Sequence, residues 1–356
     1  MAAPRSSSRR SRATSGTSGF CWSTADAKIL SADGSSVLLG VFNETIMFDT
    51  RYRTNEVKDK ACREVIEELL DAGAPLDTVD ARGRNAIHLA AEHRLDETLK
   101  MLLARRGDSL DLEAQDYEGR TALHVAAQMR NKKIVDLLLE AQASVTSRTH
   151  ERKTVMHSLL DDSFEGSDQK EEVNEIFDAL AAAGAPLTAL DRRNQSLLHL
   201  AGEHDMKDIF QKLLPEFEDY AGQTTWGTTA LQTLLCSMDA HDGGDEEDIE
   251  LCSTAAVDGD DDEEDVDERK KKKNEETRAA DEKQKFEPKS WPELLKDMFE
   301  RDDRAVFTRD DEGRLPIHMA AKFKHGKTLA MLLENYHQNE AAKTTSEPST
   351  LKLIVC

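Results

Sequence analysis

The sequence predicts an all-α repeat protein in which short helix-turn-helix units stack into an α-solenoid. Three observations carry that expectation. One nine-residue string recurs along the chain, its copies return to a period of 33 residues, and an apolar stretch at helical spacing follows the string. Periods of about 20–50 residues mark arrays whose units cannot bury an apolar face alone and must stack to do so.

The string is clearest in five places: Gly83-Arg-Asn-Ala-Ile-His88-Leu-Ala-Ala, Gly119-Arg-Thr-Ala-Leu-His124-Val-Ala-Ala, Arg152-Lys-Thr-Val-Met-His157-Ser-Leu-Leu, Asn194-Gln-Ser-Leu-Leu-His199-Leu-Ala-Gly and Gly313-Arg-Leu-Pro-Ile-His318-Met-Ala-Ala. Two looser copies keep the register, one with Leu39 and one with Gln232 in the His place. The signature positions are therefore 39, 88, 124, 157, 199, 232 and 318. Their spacings of 49, 36, 33, 42, 33 and 86 are each 33 plus an insertion of 16, 3, 0, 9, 0 or 53.

This pattern resembles the ankyrin repeat, whose signature is T-P-L-H-x-A in a unit of 33 residues. The resemblance covers roughly residues 30–340 and implies an ankyrin-repeat α-solenoid over 20–340, with β-turn fingers between helix pairs. The second helix of a unit is exemplified by 131–139, where Ile134, Leu137 and Leu138 form one stripe. Turns such as Asp71-Ala-Gly-Ala-Pro-Leu76 and Ala183-Gly-Ala-Pro-Leu187 follow, with Gly as left-handed cap and Pro as helix stop. The Gly usual between the two helices is replaced by Arg94, Arg130, Asp205 and Lys324, which are expected to hold positive φ at a modest cost. The resemblance gives His88, His124, His157, His199 and His318 a structural role, with the imidazole bonding to neighbouring backbone. Leu39 and Gln232 leave that bond open in the first and sixth copies.

Charge is concentrated. Charged residues make up 33% of the 356, above the usual ≈ 25%, and the net charge is −23. Residues 239–268 hold 16 acidic side chains and no Lys or Arg, so the other 326 residues carry only −7. Phosphates would be repelled by such a chain, and no nucleic-acid partner is expected. The acidic block, the basic run Arg269-Lys270-Lys271-Lys272-Lys273 and the polar stretch after it cannot bury enough apolar area to offset ordering entropy. Residues 239–289 are therefore expected as a disordered insertion within the sixth repeat. It would separate a first helix at about 229–237 from a second at 291–299, where Pro292 is at a permitted first-turn position. Closing such a loop costs free energy only logarithmically in its length. The basic run reads either as a nuclear localisation signal or as counter-charge beside the acids. Residues 1–19, with Arg5, Arg9, Arg10, Arg12 and no acid, read as a basic disordered tail; an organelle leader would need an apolar face that they lack. Residues 341–356 read as a C-terminal tail.

Several chemistries are excluded. Five scattered cysteines without C-x-x-C argue against a disulfide framework or zinc module. The longest apolar run, Ala179 to Leu187, is half of what a membrane helix needs, and no secretory leader pattern is present. The expectation is a soluble protein of a reducing compartment, cytoplasmic or nuclear. Ala321-Lys-Phe-Lys-His-Gly-Lys-Thr328 approaches a phosphate loop but lacks its first Gly and the strand before it. His88 with His93, and His199 with His204, are five apart, about 140° around a helix, and badly placed to share a metal. No catalytic motif presents itself. Neither an enzyme nor a metal or cofactor is expected.

The resemblance implies protein partners, bound through finger tips and the exposed side of the first helix. The tip residues are Arg82, Arg84, Tyr117, Arg120, His150, Lys153, Arg192, Arg193 and Trp226; on the first helices they are Glu92 and His93, Gln128 and Met129, Glu203 and His204, Lys322 and Phe323. The aromatic and Met side chains among them are of the kind that anchor interfaces. The basic tips suggest a stripe that accepts acidic peptides, for which residues 239–268 would act as an internal competitor or serve only as a spacer. The expected function is a non-catalytic protein–protein interaction module, an adaptor or scaffold. The alternative is a cytosolic regulatory arm of a larger channel or signalling enzyme continuing beyond residue 356.

Overall fold

The structure is a computed structural model that describes residues 29–30, 35–42, 54–105, 111–161, 167–237 and 289–344. The expected basic tail 1–19, the acidic and basic runs of the insertion, and the tail beyond residue 344 lie outside the described residues. The chain divides into two compact units, Met1–Asp111 and Leu112–Cys356. Both are helical, and among the described residues there is no strand or sheet, only isolated bridges.

The N-terminal unit holds α1 (Val37–Gly40), α2 (Asn55–Asp71), α3 (Ala86–Glu92) and α4 (Asp96–Arg105). Here α3 packs on α1 and α4, and α2 packs on α4. Asp59 of α2 is buried and caps α4: its carboxylate accepts the N–H of Glu97 at 2.7 Å and of Thr98 at 2.9 Å, and the Thr98 hydroxyl donates to it. A helix start leaves N–H groups bare, and a carboxylate there answers both the hydrogen-bonding need and the helix dipole. Leu39 fills the signature position with a buried apolar side chain that has no polar atom to make the expected bond.

The C-terminal unit holds α5 (Ala122–Gln128), α6 (Lys132–Glu140), α7 (Val155–Leu160), α8 (Ser167–Ala182), α9 (Leu197–Glu203), α10 (Lys207–Leu213), α11 (Ala230–Ser237), α12 (Trp291–Arg301), the single turn α13 (Arg304–Phe307), α14 (Pro316–Lys322) and α15 (Gly326–Thr344). The short inner helices α5, α7, α9, α11 and α14 stack in succession. Small residues let them approach: a Cβ added to Gly202 of α9 would lie 3.2 Å from Leu234 of α11. The outer helices supply bulk, including Ile134 and Leu138, Ile176 and Phe177, Ile209 and Phe210, Trp291 and Leu294. Each such side chain contributes about 1.5–3 kcal/mol by burial.

Four turns between an inner and an outer helix share one geometry. Arg94, Arg130, Asp205 and Lys324 take φ of 57°, 54°, 53° and 64°, as expected for positions that glycine usually holds. In each turn the next N–H closes back on the inner helix: Leu95 on Ala90, Asn131 on Ala126, Met206 on Ala201 and His325 on Ala320, at 2.9–3.2 Å. After the outer helices, Gly73, Gln142 and Gly184 make the corresponding left-handed cap. In the units with insertions of 16 and 9 residues the outer helices are longer: α2 has 17 residues and α8 has 16, against nine in α6. The boundary expected at residue 340 is corrected, since α15 runs through it to Thr344.

The signature side chain caps the start of its inner helix, and at His157 and Gln232 it also joins one repeat to the next. Nδ1 of His124, His157, His199 and His318 accepts the backbone N–H three residues earlier, at 3.0–3.3 Å, while Nδ1 of His88 lies 3.4 Å from the Asn85 nitrogen and 2.7 Å from the Asn85 Oδ1. A neutral ring that accepts there carries its proton on Nε2. His157 uses it to donate to the Gln195 carbonyl of the following repeat at 3.2 Å. Gln232 corrects the doubt attached to its position. Its Oε1 accepts from Thr229 N–H at 2.9 Å, and its Nε2 donates to the carbonyls of Arg314 and Thr308 at 3.1 and 3.3 Å. An amide thus reproduces both bonds of the imidazole, across the longest insertion in the chain. The two ends of that insertion are closed by packing as well. Trp291 is buried, meets Phe210 edge-on at 5.2 Å, and donates from its indole nitrogen to Asp205 at 2.7 Å.

Two measurements check this framework. Replacing Gln232 by Leu strands a buried N–H and two carbonyls and is expected to destabilise by roughly 2–4 kcal/mol in urea unfolding, whereas Gln232→His retains most of the stability. The second concerns pH. Burial lowers His199 to about 4, against the opposing pull of the Thr228 and Gly222 carbonyls. Between pH ~6.5 and ~4 the unfolded chain binds a proton that the folded one refuses, so stability falls as pH drops through that window. The loss from His199 is at most about 3 kcal/mol. The shift of the urea midpoint between pH 7 and pH 4 is expected to shrink in His199→Gln.

Candidate interaction surface

Six inner helices, α3, α5, α7, α9, α11 and α14, are each preceded by a five-residue finger. The fingers are 80–84, 116–120, 149–153, 191–195, 224–228 and 310–314, the first in the N-terminal unit and the rest in the C-terminal unit. In every one, the first N–H donates to the fifth carbonyl and the fourth N–H to the first carbonyl. The fourth residue has positive φ, from 55° at Asn194 to 79° at Gly119.

The first side chain holds the turn. Asp116 Oδ1 accepts the N–H of Glu118 at 2.9 Å and of Arg120 at 2.8 Å, while Oδ2 accepts Arg120 Nε at 2.9 Å. Asp80 with Arg84 and Asp310 with Arg314 repeat the arrangement, and Asp191 makes its two backbone bonds alone. These are Asx-turns reinforced by an ion pair. Burial acts to raise the Asp80 and Asp310 carboxyls, but the guanidinium and the two N–H groups outweigh it and leave both below the usual value. Where the first residue is Thr149 or Thr224, its hydroxyl accepts one N–H in the same way.

The fifth side chain braces the finger against the end of its own inner helix, eight residues on. Arg84 pairs with Glu92, Arg120 Nη1 reaches Gln128 at 3.3 Å, Lys153 reaches Asp161 at 2.5 Å, and Gln195 reaches Glu203 at 3.0 Å. Arg84, Arg120 and Lys153 were expected as free basic tips, and Glu92, Gln128 and Glu203 as separate surface residues. They are instead the two ends of internal struts. The basic stripe is interrupted accordingly.

What the fingers present outward is their second and third residues. In the C-terminal unit these are Tyr117 and Glu118, His150 and Glu151, Arg192 and Arg193, Thr225 and Trp226, Asp311 and Glu312, all exposed. Tyr117 is 70% and Trp226 55% exposed. Consecutive fingers are tied by backbone bonds: His150 N–H to Glu118 carbonyl at 3.1 Å, Arg192 N–H to Glu151 carbonyl at 2.8 Å, and Thr225 N–H to Arg193 carbonyl at 2.8 Å. The approach is close enough that a Cβ on Gly119 would fall 2.5 Å from His150 N, and one on Gly227 2.8 Å from Asp311 N. Between the second and third fingers of the chain lies a cleft of about 350 Å³, lined by Tyr117, Arg120, His150, Lys153, Ser158 and Asp161.

The remaining expected residues are spread out. In the N-terminal unit, Arg82 is an exposed tip, while His93 is half-buried and its pKa is lowered, chiefly by burial. In the C-terminal unit, Met129 and His204 are half-buried. The exposed Lys322 holds its ammonium 5.2 Å from the Phe323 ring, which stacks on His325 at 6.2 Å. Exposed Leu190 beside half-buried Phe217 was not anticipated; both line a second cleft of about 510 Å³. Among the described residues, no group of three His, Cys, Asp or Glu is placed to hold a metal ion, and no helix is long and apolar enough to cross a membrane. Burial raises the Cys62 thiol to about 11, so it is a packing group at neutral pH.

Asp116 and Arg192 separate the locked groups from the free ones. Asp116→Ala is expected to cost roughly 1–3 kcal/mol in urea unfolding, because two N–H groups and a guanidinium lose their acceptor. Arg192, whose exposed pair with Glu151 spans 3.3 Å, is expected to change stability by under about 0.5 kcal/mol when replaced by Ala.

Residues 57–149 match the family model of ankyrin repeats, in three copies. No curated protein matches the chain. The matched span includes the fingers of Asp80 and Asp116 with the helices that follow them, whose capping, left-handed turns and signature histidines are described above. Residues 57–149 of the chain are ankyrin repeats.

Proposed function

We propose that this chain is a non-catalytic adaptor or scaffold, with seven repeats, that binds protein partners across its fingers and the exposed face of its inner helices. Ankyrin repeats are in general protein–protein interaction modules. The observation that carries the reading here is the placement of Tyr117 and Trp226. Two large aromatics stand exposed on fingers whose backbones are locked internally and tied to their neighbours. Aromatic residues on a pre-organised support bind with little ordering cost, and they dominate interface energetics. The shifted carboxyls belong to turn locks and caps, which gives them structural work in place of proton transfer. We place the protein in the cytoplasm, with nuclear entry assigned to the basic run 269–273.

The test uses the full chain as bait, wild type beside a Tyr117→Ala/Trp226→Ala variant, with bound proteins quantified by mass spectrometry. A subset of partners is expected to fall about tenfold or more while the urea midpoint stays within error. Identical recovery by both baits overturns the reading.

A further inference from the structure

The exposed arginines of the C-terminal unit are not equivalent. The guanidinium groups of Arg120 and Arg314 are held by carboxylates of their own fingers, and Arg192 pairs with Glu151. Arg193 forms no ion pair among the described residues. Its guanidinium carbon lies 5.2 Å from the ring centroid of Trp226 on the next finger. The Thr225 N–H to Arg193 carbonyl bond holds the two fingers together at that point. A guanidinium held over an aromatic ring by cation–π attraction uses none of its N–H donors on a hydrogen-bond acceptor there, so they remain for a partner's acceptor. The indole, 55% exposed, still offers apolar area.

The surrounding charge narrows the choice of acceptor. Fingers on either side present Glu118 and Glu151, and Asp311 and Glu312. At the outward second and third positions of the fingers of the C-terminal unit, Arg and Lys occur only as Arg192 and Arg193, with acids on the second, third and sixth fingers of the chain. A basic segment meets Arg192 and Arg193, and a long acidic run meets repulsion beyond them. A short segment with an isolated carboxylate meets neither.

We propose that Arg193 and Trp226 form a two-point clamp for a partner peptide in which one carboxylate stands beside an apolar side chain. The guanidinium takes the carboxylate through paired N–H bonds, and the indole covers the apolar neighbour. This rests on the reading of the fingers as the binding surface, and names the chemistry that they select.

The test presents full-length protein with pooled dodecapeptides that share randomised flanks around a fixed Glu-Leu, Gln-Leu or Lys-Leu pair, together with an octaglutamate. Wild type is expected to retain the Glu-Leu pool about tenfold over the Gln-Leu and Lys-Leu pools, and over octaglutamate. That preference is expected to vanish in Arg193→Gln, to persist in Arg192→Gln, and to fall with all retention in Trp226→Ala. Urea midpoints verify that each variant is folded. Equal retention of the pools by wild type, a preference that survives Arg193→Gln, or octaglutamate bound as well as Glu-Leu overturns the clamp. If the bait experiment loses partners while these pools show no preference, the fingers bind and the proposed chemistry is wrong. If the baits recover identical partners, the finger reading itself fails.

Discussion

At His157 and at Gln232 one side chain accepts a hydrogen bond at its near end and donates one at its far end, and these two-ended bonds tie consecutive repeats together. The near acceptor takes the N–H left bare where an inner helix begins, which binds the finger to its helix. The far donor takes a carbonyl of the next finger, which binds repeat to repeat. Histidine fills this place only when neutral, because a second ring proton would remove the acceptor. Burial of His157 and His199 lowers their proton affinity and keeps them in that state. Gln232 shows that the requirement is chemical. A carboxamide has the same acceptor and donor, and the structure uses both.

The same economy governs charge. Asp80, Asp116 and Asp310 each bind an arginine four residues on, and that residue's side chain is already part of the turn. These cations contribute rigidity, and a partner would have to break an ion pair to use them. What is left exposed on the fingers is small in number and fixed in place, which is the condition for a selective surface. Arg193 differs from the others because Asp191 is followed four residues later by Gln195, which bonds Glu203. With no arginine at the fifth position, the basic residues of that finger are Arg192 and Arg193, at the second and third, and Arg192 pairs with Glu151.

Local features were legible in the sequence. The positive φ values at Arg94, Arg130, Asp205 and Lys324 follow from where a glycine belongs in a repeat of fixed length, and the caps at Gly73 and Gly184 follow from Gly before Pro. The struts were not legible, because they depend on a finger folding back by eight residues. Arg84 and Glu92 look like two surface charges until the turn brings them together. The Asp-x-x-Gly-Arg spacing was nevertheless present in three fingers, and its four-residue interval carried the signal. The role of Gln232 was hidden for a different reason, since its acceptors lie 76 and 82 residues away. The length of α2 and α8 was equally hidden, because a polar helical turn and a polar loop have similar composition.

The position of the long insertion follows from the same mechanics. It departs after Ser237, at the end of α11 remote from the finger 224–228, and returns at Lys289 just before α12. An eight-residue helix separates those two edges by about 12 Å. Everything that fixes the finger lies on the near side: the Thr224 cap, the Gln232 bonds and the approach of Gly227 to Asp311. What fixes the far side is Trp291, lodged against Phe210 and bonded to Asp205, so that α12 docks as an outer helix whatever joins it to α11. Loop closure costs free energy logarithmically, whereas burying an indole and pairing its N–H returns a few kcal/mol at once. An insertion at this edge can therefore change in length or charge without moving Trp226 or Arg193.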